Sequence, residues 1–283
     1  METQYDNQCS AEVTGSRRIS PPEMDEVRAI DLRIDEPAFR FHEGQTVGVL
    51  VQGANPFGSK PHHRYYSIAS ARPQAHGDEV ELQLIVRRCF YIDEFSGERY
   101  PGIASNYLCD ARPGDHITLT GPYRSVFRMP QNRDANLLMI GTGTGIAPFR
   151  AFIQRIYAQH GGWEGKVRLF FGDRSGLDLA YLNQVDKDFA NYYTRETFEA
   201  YQAITKRYVM SEAEALEETL DAHGREAWDM LQDPATHTYV AGTRKNSGQL
   251  DKVFSEYAGS EEAWLESKEK LREAGRWSEL LYS

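Results

Sequence analysis

The chain has 283 residues, more than one hydrophobic core usually organises, so two domains are expected. Its composition, 40% hydrophobic and 26% charged, is that of a globular protein, and a formal charge of −10 argues against wholesale nucleic-acid binding. No apolar run approaches the roughly 20 residues of a membrane span, and the widely spaced Cys9, Cys89 and Cys109 offer neither metal nor iron–sulfur spacing.

Residues 1–16 are polar, lack the basic start and apolar core of a signal peptide, and are expected to form a flexible tail. Residues 27–34 alternate apolar and charged side chains, as a half-buried strand does. Further strands are expected at 46–51, 64–70, 79–91 and 115–120, separated by turn residues such as Pro113-Gly114. Short strands in this arrangement suggest an antiparallel barrel or sandwich. The pattern changes near Asn136. Buried strands are expected at 137–140, 167–171 and 237–241, and helices at 147–160, 213–231, 248–258 and 263–274. Strands alternating with helices imply a parallel sheet with crossovers. The boundary is placed near 132–136, giving a tail at 1–16 and domains at 17–133 and 134–283.

Three segments carry candidate chemistry. In Arg64-Tyr65-Tyr66-Ser67-Ile68-Ala69-Ser70, strand alternation puts Arg64, Tyr66 and Ile68 on one face. Arg64 could fork onto a phosphate, Tyr66 could lie on a ring system, and Ser67 could donate or accept a hydrogen bond. The same residues also fit an edge strand with a packed tyrosine and a solvated arginine. Gly141-Thr142-Gly143-Thr144-Gly145 follows a strand and opens a helix, where bare amides favour an anion; a plain strand-to-helix turn is the alternative. Arg174, Thr194, Arg195, Lys206 and Tyr208 lie downstream of the second parallel strand and supply the cations, hydroxyl and ring suited to a ribose 2′-phosphate and an adenine. Solvent exposure alone would also account for them.

In this order the segments resemble the plant-type ferredoxin–NADP reductase family, from about residue 39 to 282. Arg64–Ser70 is similar to the family's flavin motif, R-x-Y-S-[IL]-[AG]-S. Gly102-Ile103-Ala104-Ser105-Asn106-Tyr107-Leu108 resembles the segment beneath the flavin. Gly141–Arg150 resembles the nicotinamide-side loop. Phe171-Gly172-x-Arg174-x-x-x-Asp178-x-x-Tyr181 and the aromatic end, Trp277 to Tyr282, also match.

The resemblance implies an N-terminal FAD-binding β-barrel, a C-terminal Rossmann-like α/β domain for NADP(H), and no metal. It makes Arg64 the pyrophosphate clamp, Tyr66 the ring beneath the isoalloxazine, Ser67 a catalytic neighbour of N5, and Tyr282 the ring's cover. Arg87 and Tyr91 match positions on the phosphate and adenine side of FAD. Ile103, Ala104 and Ser105 match flavin and phosphate contacts, with Ile68 beside them. Gly143, Thr144 and Gly145 fall at the nicotinamide end, and Thr194, Arg195, Lys206 and Tyr208 in the 2′-phosphate pocket. Two positions depart from the family. Ala241 stands where a cysteine is usual, and Leu280 where a glutamate is usual, with Glu279 one place off.

The activity implied is hydride transfer between NADP(H) and FAD, and single-electron transfer between FAD and ferredoxin or flavodoxin, by a cytoplasmic monomer. A reductase component of an oxygenase system, for aromatic or acyl-CoA degradation, is an alternative. So is a flavin-bearing regulatory or electron-transfer subunit without turnover. Lys60, His62, His63, Arg64, Arg87 and Arg88 form a basic island that could steer an acidic carrier; alternatively Arg64 and Arg87 are taken up by FAD phosphates and the rest are solvated.

Overall fold

The computed structural model describes residues 7–34, 36, 38–53, 61–71, 79–93, 95–159, 162–173, 198–204 and 212–282. The chain forms two compact units, Met1–Ser125 and Val126–Ser283.

The first unit is built on an antiparallel sheet. Its strands are β1 (Gln8–Arg18), β2 (Val27–Ile34), β3 (Thr46–Val51), β4 (His62–Ser67), β5 (Val80–Arg87) and, after a two-stranded ribbon and a helix, β8 (His116–Tyr123). Their order is β4-β3-β8-β1-β2-β5. The two end strands meet. Ile68, the residue after β4, bridges antiparallel to Leu84 of β5, and Ala69 N donates to Gln83 O at 2.8 Å. The sheet therefore closes into a barrel, which removes its free edges. Val47, Val49, Ile68, Leu82 and Leu84 fill the interior.

The tail expected over residues 1–16 is replaced from Gln8 onward by β1, which lies inside the sheet between β8 and β2. Its inward residues Ala11 and Val13 are small and fully buried, and its outward residues are polar. No long apolar run marks such a strand. The strand expected over 79–91 is two elements: β5 ends at Arg87, and Phe90–Ile92 starts again as β6, paired with β7 (Arg99–Pro101) in a ribbon of its own. A helix, α1 (Ile103–Asp110), then packs against β3, β4 and β5.

The second unit is a parallel sheet. It holds β9 (Asn136–Thr142), β10 (Val167–Asp173), β11 (Phe198–Ile204), β12 (Thr236–Thr243) and β13 (Trp277–Tyr282), in the order β11-β10-β9-β12-β13. Its helices are α2 (Ile146–Gln154), α3 (Glu212–Gln232), α4 (Arg244–Ala258) and α5 (Glu261–Glu273). On one face Leu138, Ile140 and Val240 pack with Leu250, Phe254 and Trp264 from the helices. On the other, Tyr239 meets Phe127 and Phe152 edge-on. α5 starts where its sequence dictates: Ser260 Oγ accepts from Ala263 N at 3.1 Å, and Glu261 and Glu262 occupy the positive first turn.

The boundary falls at 125/126 rather than 133/134. Phe127 is buried against Phe149, ring centroids 5.9 Å apart, and Tyr239 donates its hydroxyl to Arg128 O at 2.6 Å. These contacts claim the intervening residues for the second unit.

Candidate functional site

In the barrel unit the register sets the flavin motif in place. β4 pairs with β3 so that Arg64 faces Val49 and Tyr66 faces Val47, and paired residues share a face. Arg64, Tyr66 and Ile68 thus line up as alternation requires, graded from exposed through half-buried to fully buried. Arg64 makes no ion pair among the described residues; its hydrogen bond is a long one, 3.5 Å, to His63 O. Tyr66 packs on the barrel core, and burial raises its hydroxyl well above the usual tyrosine range. The Tyr66 hydroxyl is therefore neutral. Ser67 is buried on β4.

α1 brings the second segment alongside. No side chain caps its N-terminus, so amides of the first turn remain for an anion. Ile103 packs on the same core as Tyr66, and Ala104 is buried. Ser105 Oγ accepts from Cys89 N at 3.1 Å and donates to Gly102 O at 3.2 Å, so its hydroxyl already ties α1 to the chain after β5. Asn106 was not singled out by its residue type. It donates from Nδ2 to Cys89 O and Gly102 O, both at 2.8 Å, and fixes the same junction. Arg87, half-buried, ends β5 at this junction, and Tyr91 stands exposed on β6.

The basic island is smaller than its sequence suggests. Arg88 donates to Glu26 Oε2 at 2.7 Å, Asp110 Oδ1 at 2.8 Å and Asn106 Oδ1 at 2.9 Å, so its charge is spent internally. Burial and the neighbouring Arg64 lower both His62 and His63, leaving them neutral near pH 7. Lys60 lies outside the described residues. Arg64 remains, without an ion pair among the described residues.

In the α/β unit β9 runs through Gly141 and Thr142 into a single 3₁₀ turn, Gly143–Gly145, and then α2. Gly143 has φ 52°, where a side chain is strained. Gly145 is required by close approach: a Cβ there would lie 2.5 Å from Ala241 O. Thr142, Gly143 and Gly145 are buried, and Thr144 between them is half-exposed. The loop stands where β9 and β12 send their connections to opposite sides, the crevice in which open α/β sheets bind ligands. Tyr282 pairs in register with Thr243 at the same carboxyl edge. Arg174, Thr194, Arg195, Lys206 and Tyr208 lie outside the described residues.

Residues 139–246 match the family model described as an oxidoreductase NAD-binding domain. Over 245 residues the chain is 34% identical to the ferredoxin–NADP reductase of Synechocystis, aligning 84% of this chain with 58% of that protein. It is 32% identical to the chloroplastic ferredoxin–NADP reductase of Spinacia oleracea over 249 residues, 86% of this chain and 66% of that one. The chain thus spans less than two thirds of these two longer relatives. With the ferredoxin–NADP reductase of Spirulina it shares 33% identity over 261 residues, covering 89% of this chain and 87% of that protein. The chain belongs to the ferredoxin–NADP reductase family. Its fold agrees: a solved ferredoxin–NADP reductase from Plasmodium falciparum superposes with a TM-score of 0.72 at 17% identity, over 99% of this chain and 100% of that one.

Within this family, the two departures now have a geometry. Ala241 is buried at the end of β12 and pairs in register with Leu280 of β13. Both positions are apolar. Neighbouring residues of a strand face opposite ways, and Glu279 points at α5, where its Oε1 is 2.7 Å from Lys268 Nζ and its Oε2 accepts from Arg272.

Proposed function

We propose that the chain is an FAD-dependent oxidoreductase that accepts hydride from NADPH and delivers single electrons to a separate carrier of the ferredoxin or flavodoxin type. The observation that carries this reading is Arg64: an exposed guanidinium without an ion pair among the described residues, on the strand face that also presents Tyr66. A cation left uncommitted beside a platform ring fits a dinucleotide's pyrophosphate and ring system. The uncapped α1 N-terminus adds amides for the same anion.

FAD, when bound, would supply the exchange between two-electron and one-electron chemistry. The protein's part is to hold and orient. Arg64 and the first turn of α1 would neutralise the diphosphate, Tyr66 would flank the ring, and Ser67 would stand near its reactive edge. Thr144 would orient the nicotinamide of NADPH at the carboxyl edge of the parallel sheet, where Tyr282 also ends. The relatives' names supply ferredoxin as the carrier to try first.

The test is an absorbance spectrum of the purified protein, followed by titration with NADPH and with NADH. A yellow protein bleached preferentially by NADPH is expected. A colourless protein that takes up no added FAD would sink the proposal.

A further inference from the structure

Five large apolar or aromatic side chains stand exposed on the β6–β7 ribbon: Phe90, Tyr91, Ile92, Phe95 and Tyr100. The two strands pair with each other and with no other described strand. A lone ribbon of this kind is marginal in water, and uncovered aromatics on it point to a ligand. Strand alternation sorts them. Ile92 faces Arg99 and Phe90 faces Pro101, with the Arg99 guanidinium 3.9 Å over the Phe90 ring. On the opposite face Tyr91 stands directly across from Tyr100. These two rings are stacked, centroids 5.5 Å apart and planes inclined by 22°. They stay 56% and 39% exposed. The Tyr100 hydroxyl donates to the carboxylate of Glu98, just before β7, which tethers the Tyr100 ring.

We infer that Tyr100 is a positioning residue for the adenine end of the dinucleotide, backing Tyr91 from across the ribbon so that its free face is presented for stacking. The inference rests on the proposed FAD site and on Tyr91 as its adenine neighbour. It goes beyond both, because neither the motifs nor the family relation singles out position 100. The physical reason is preorganisation. A solitary exposed tyrosine loses rotamer freedom when a base stacks on it. A ring already stacked behind it removes much of that loss before the ligand arrives. A flat purine then extends a two-ring column into a third layer.

The experiment titrates flavin-stripped protein with FAD and, separately, with FMN, which lacks the adenylate. Y100A is expected to weaken FAD binding about three- to tenfold and leave FMN binding unchanged. Y100F, which keeps the ring and loses the hydroxyl, is expected to restore wild-type FAD affinity. Unchanged FAD affinity in Y100A overturns the inference, as does an equal loss for FAD and FMN or a failure of Y100F to rescue. A wild-type protein that binds neither flavin refutes the proposed function itself, and the inference with it.

Discussion

Lys268 and Glu279 form a 2.7 Å ion pair that ties α5 to β13, with side chains 5% and 13% exposed. Lys268 also reaches Asp251 of α4 at 2.8 Å, so one ammonium joins three elements. Breaking a buried pair from one side costs roughly 3–5 kcal/mol. Glu279 keeps Arg272, so K268M should lower stability by about 3 kcal/mol, the lower end of that range. The midpoint of urea unfolding checks it; a loss below about 1 kcal/mol, the worth of an exposed pair, would contradict it.

The same pair sets a pH dependence. Burial works to raise the Glu279 pKa, but the hydrogen bond from Lys268 and the charges of Lys268 and Arg272 outweigh it and hold the carboxyl below its ordinary value. The folded pKa is thus below the unfolded one. The stabilisation is complete above the ordinary carboxylate range and is lost as pH falls through it toward the folded value. Stability of K268M measured across acid pH should fall less steeply than that of the wild type.

Because Glu279 faces α5, it should be irrelevant to the redox reaction. E279Q is expected to leave the rate of flavin reduction by NADPH within about twofold of wild type while lowering stability. Stopped-flow bleaching measures this. A rate loss of tenfold or more would mean that this carboxylate serves the reaction after all.

R64A should weaken FAD binding by about 10- to 100-fold, the worth of a charge-assisted hydrogen bond to phosphate. Calorimetric titration of flavin-stripped protein gives the number. An unchanged affinity would remove the pyrophosphate from Arg64.

G145A places a methyl 2.5 Å from Ala241 O and 3.1 Å from Gly242 N, both backbone atoms that cannot swing aside. Overpacking of this kind costs about 1–3 kcal/mol. A lowered melting temperature together with weaker NADPH binding is expected, since Thr144 is carried by the same turn.

The thiols offer an inexpensive check on the barrel. Burial pushes Cys9 up to about 11 and Cys109 up to about 12, whereas Cys89 is exposed. The thiolate is the nucleophile that attacks thiol reagents. One rapidly labelled thiol, Cys89, is expected at pH 8, with the other two reacting on unfolding. Rapid labelling of Cys109 would mean that the barrel is open there.

Strong periodicity made parts of this architecture legible. The alternation from Val27 to Ile34 gave β2 at its observed bounds, and the run from Thr46 to Val51 gave β3. β1 escaped because its buried side chains are as small as Ala11 and Val13. That Arg64 and Tyr66 share a face was readable because strand alternation alone decides it. The pairing of Arg88 within the basic island was hidden because charge along the sequence carries no account of partners: Glu26 lies 62 residues from Arg88, and only the fold brings them together. The role of Glu279 was hidden for a similar reason, since its cation comes from a helix that sequence reading treats separately.

The barrel's closing joint consists of the Ile68–Leu84 bridge, with hydrogen bonds from Ala69 N to Gln83 O and from Gln83 N to Ser70 Oγ. Arg64 and Tyr66 stand on one lip of this joint, Arg87 on the other. If the proposed cofactor is gripped from both lips, its binding should add to the stability of this joint, which the chain already closes by itself. Emptying the site would withdraw that contribution along this line, and the amide of Ala69 would trade its proton with water sooner than those of the strands opposite.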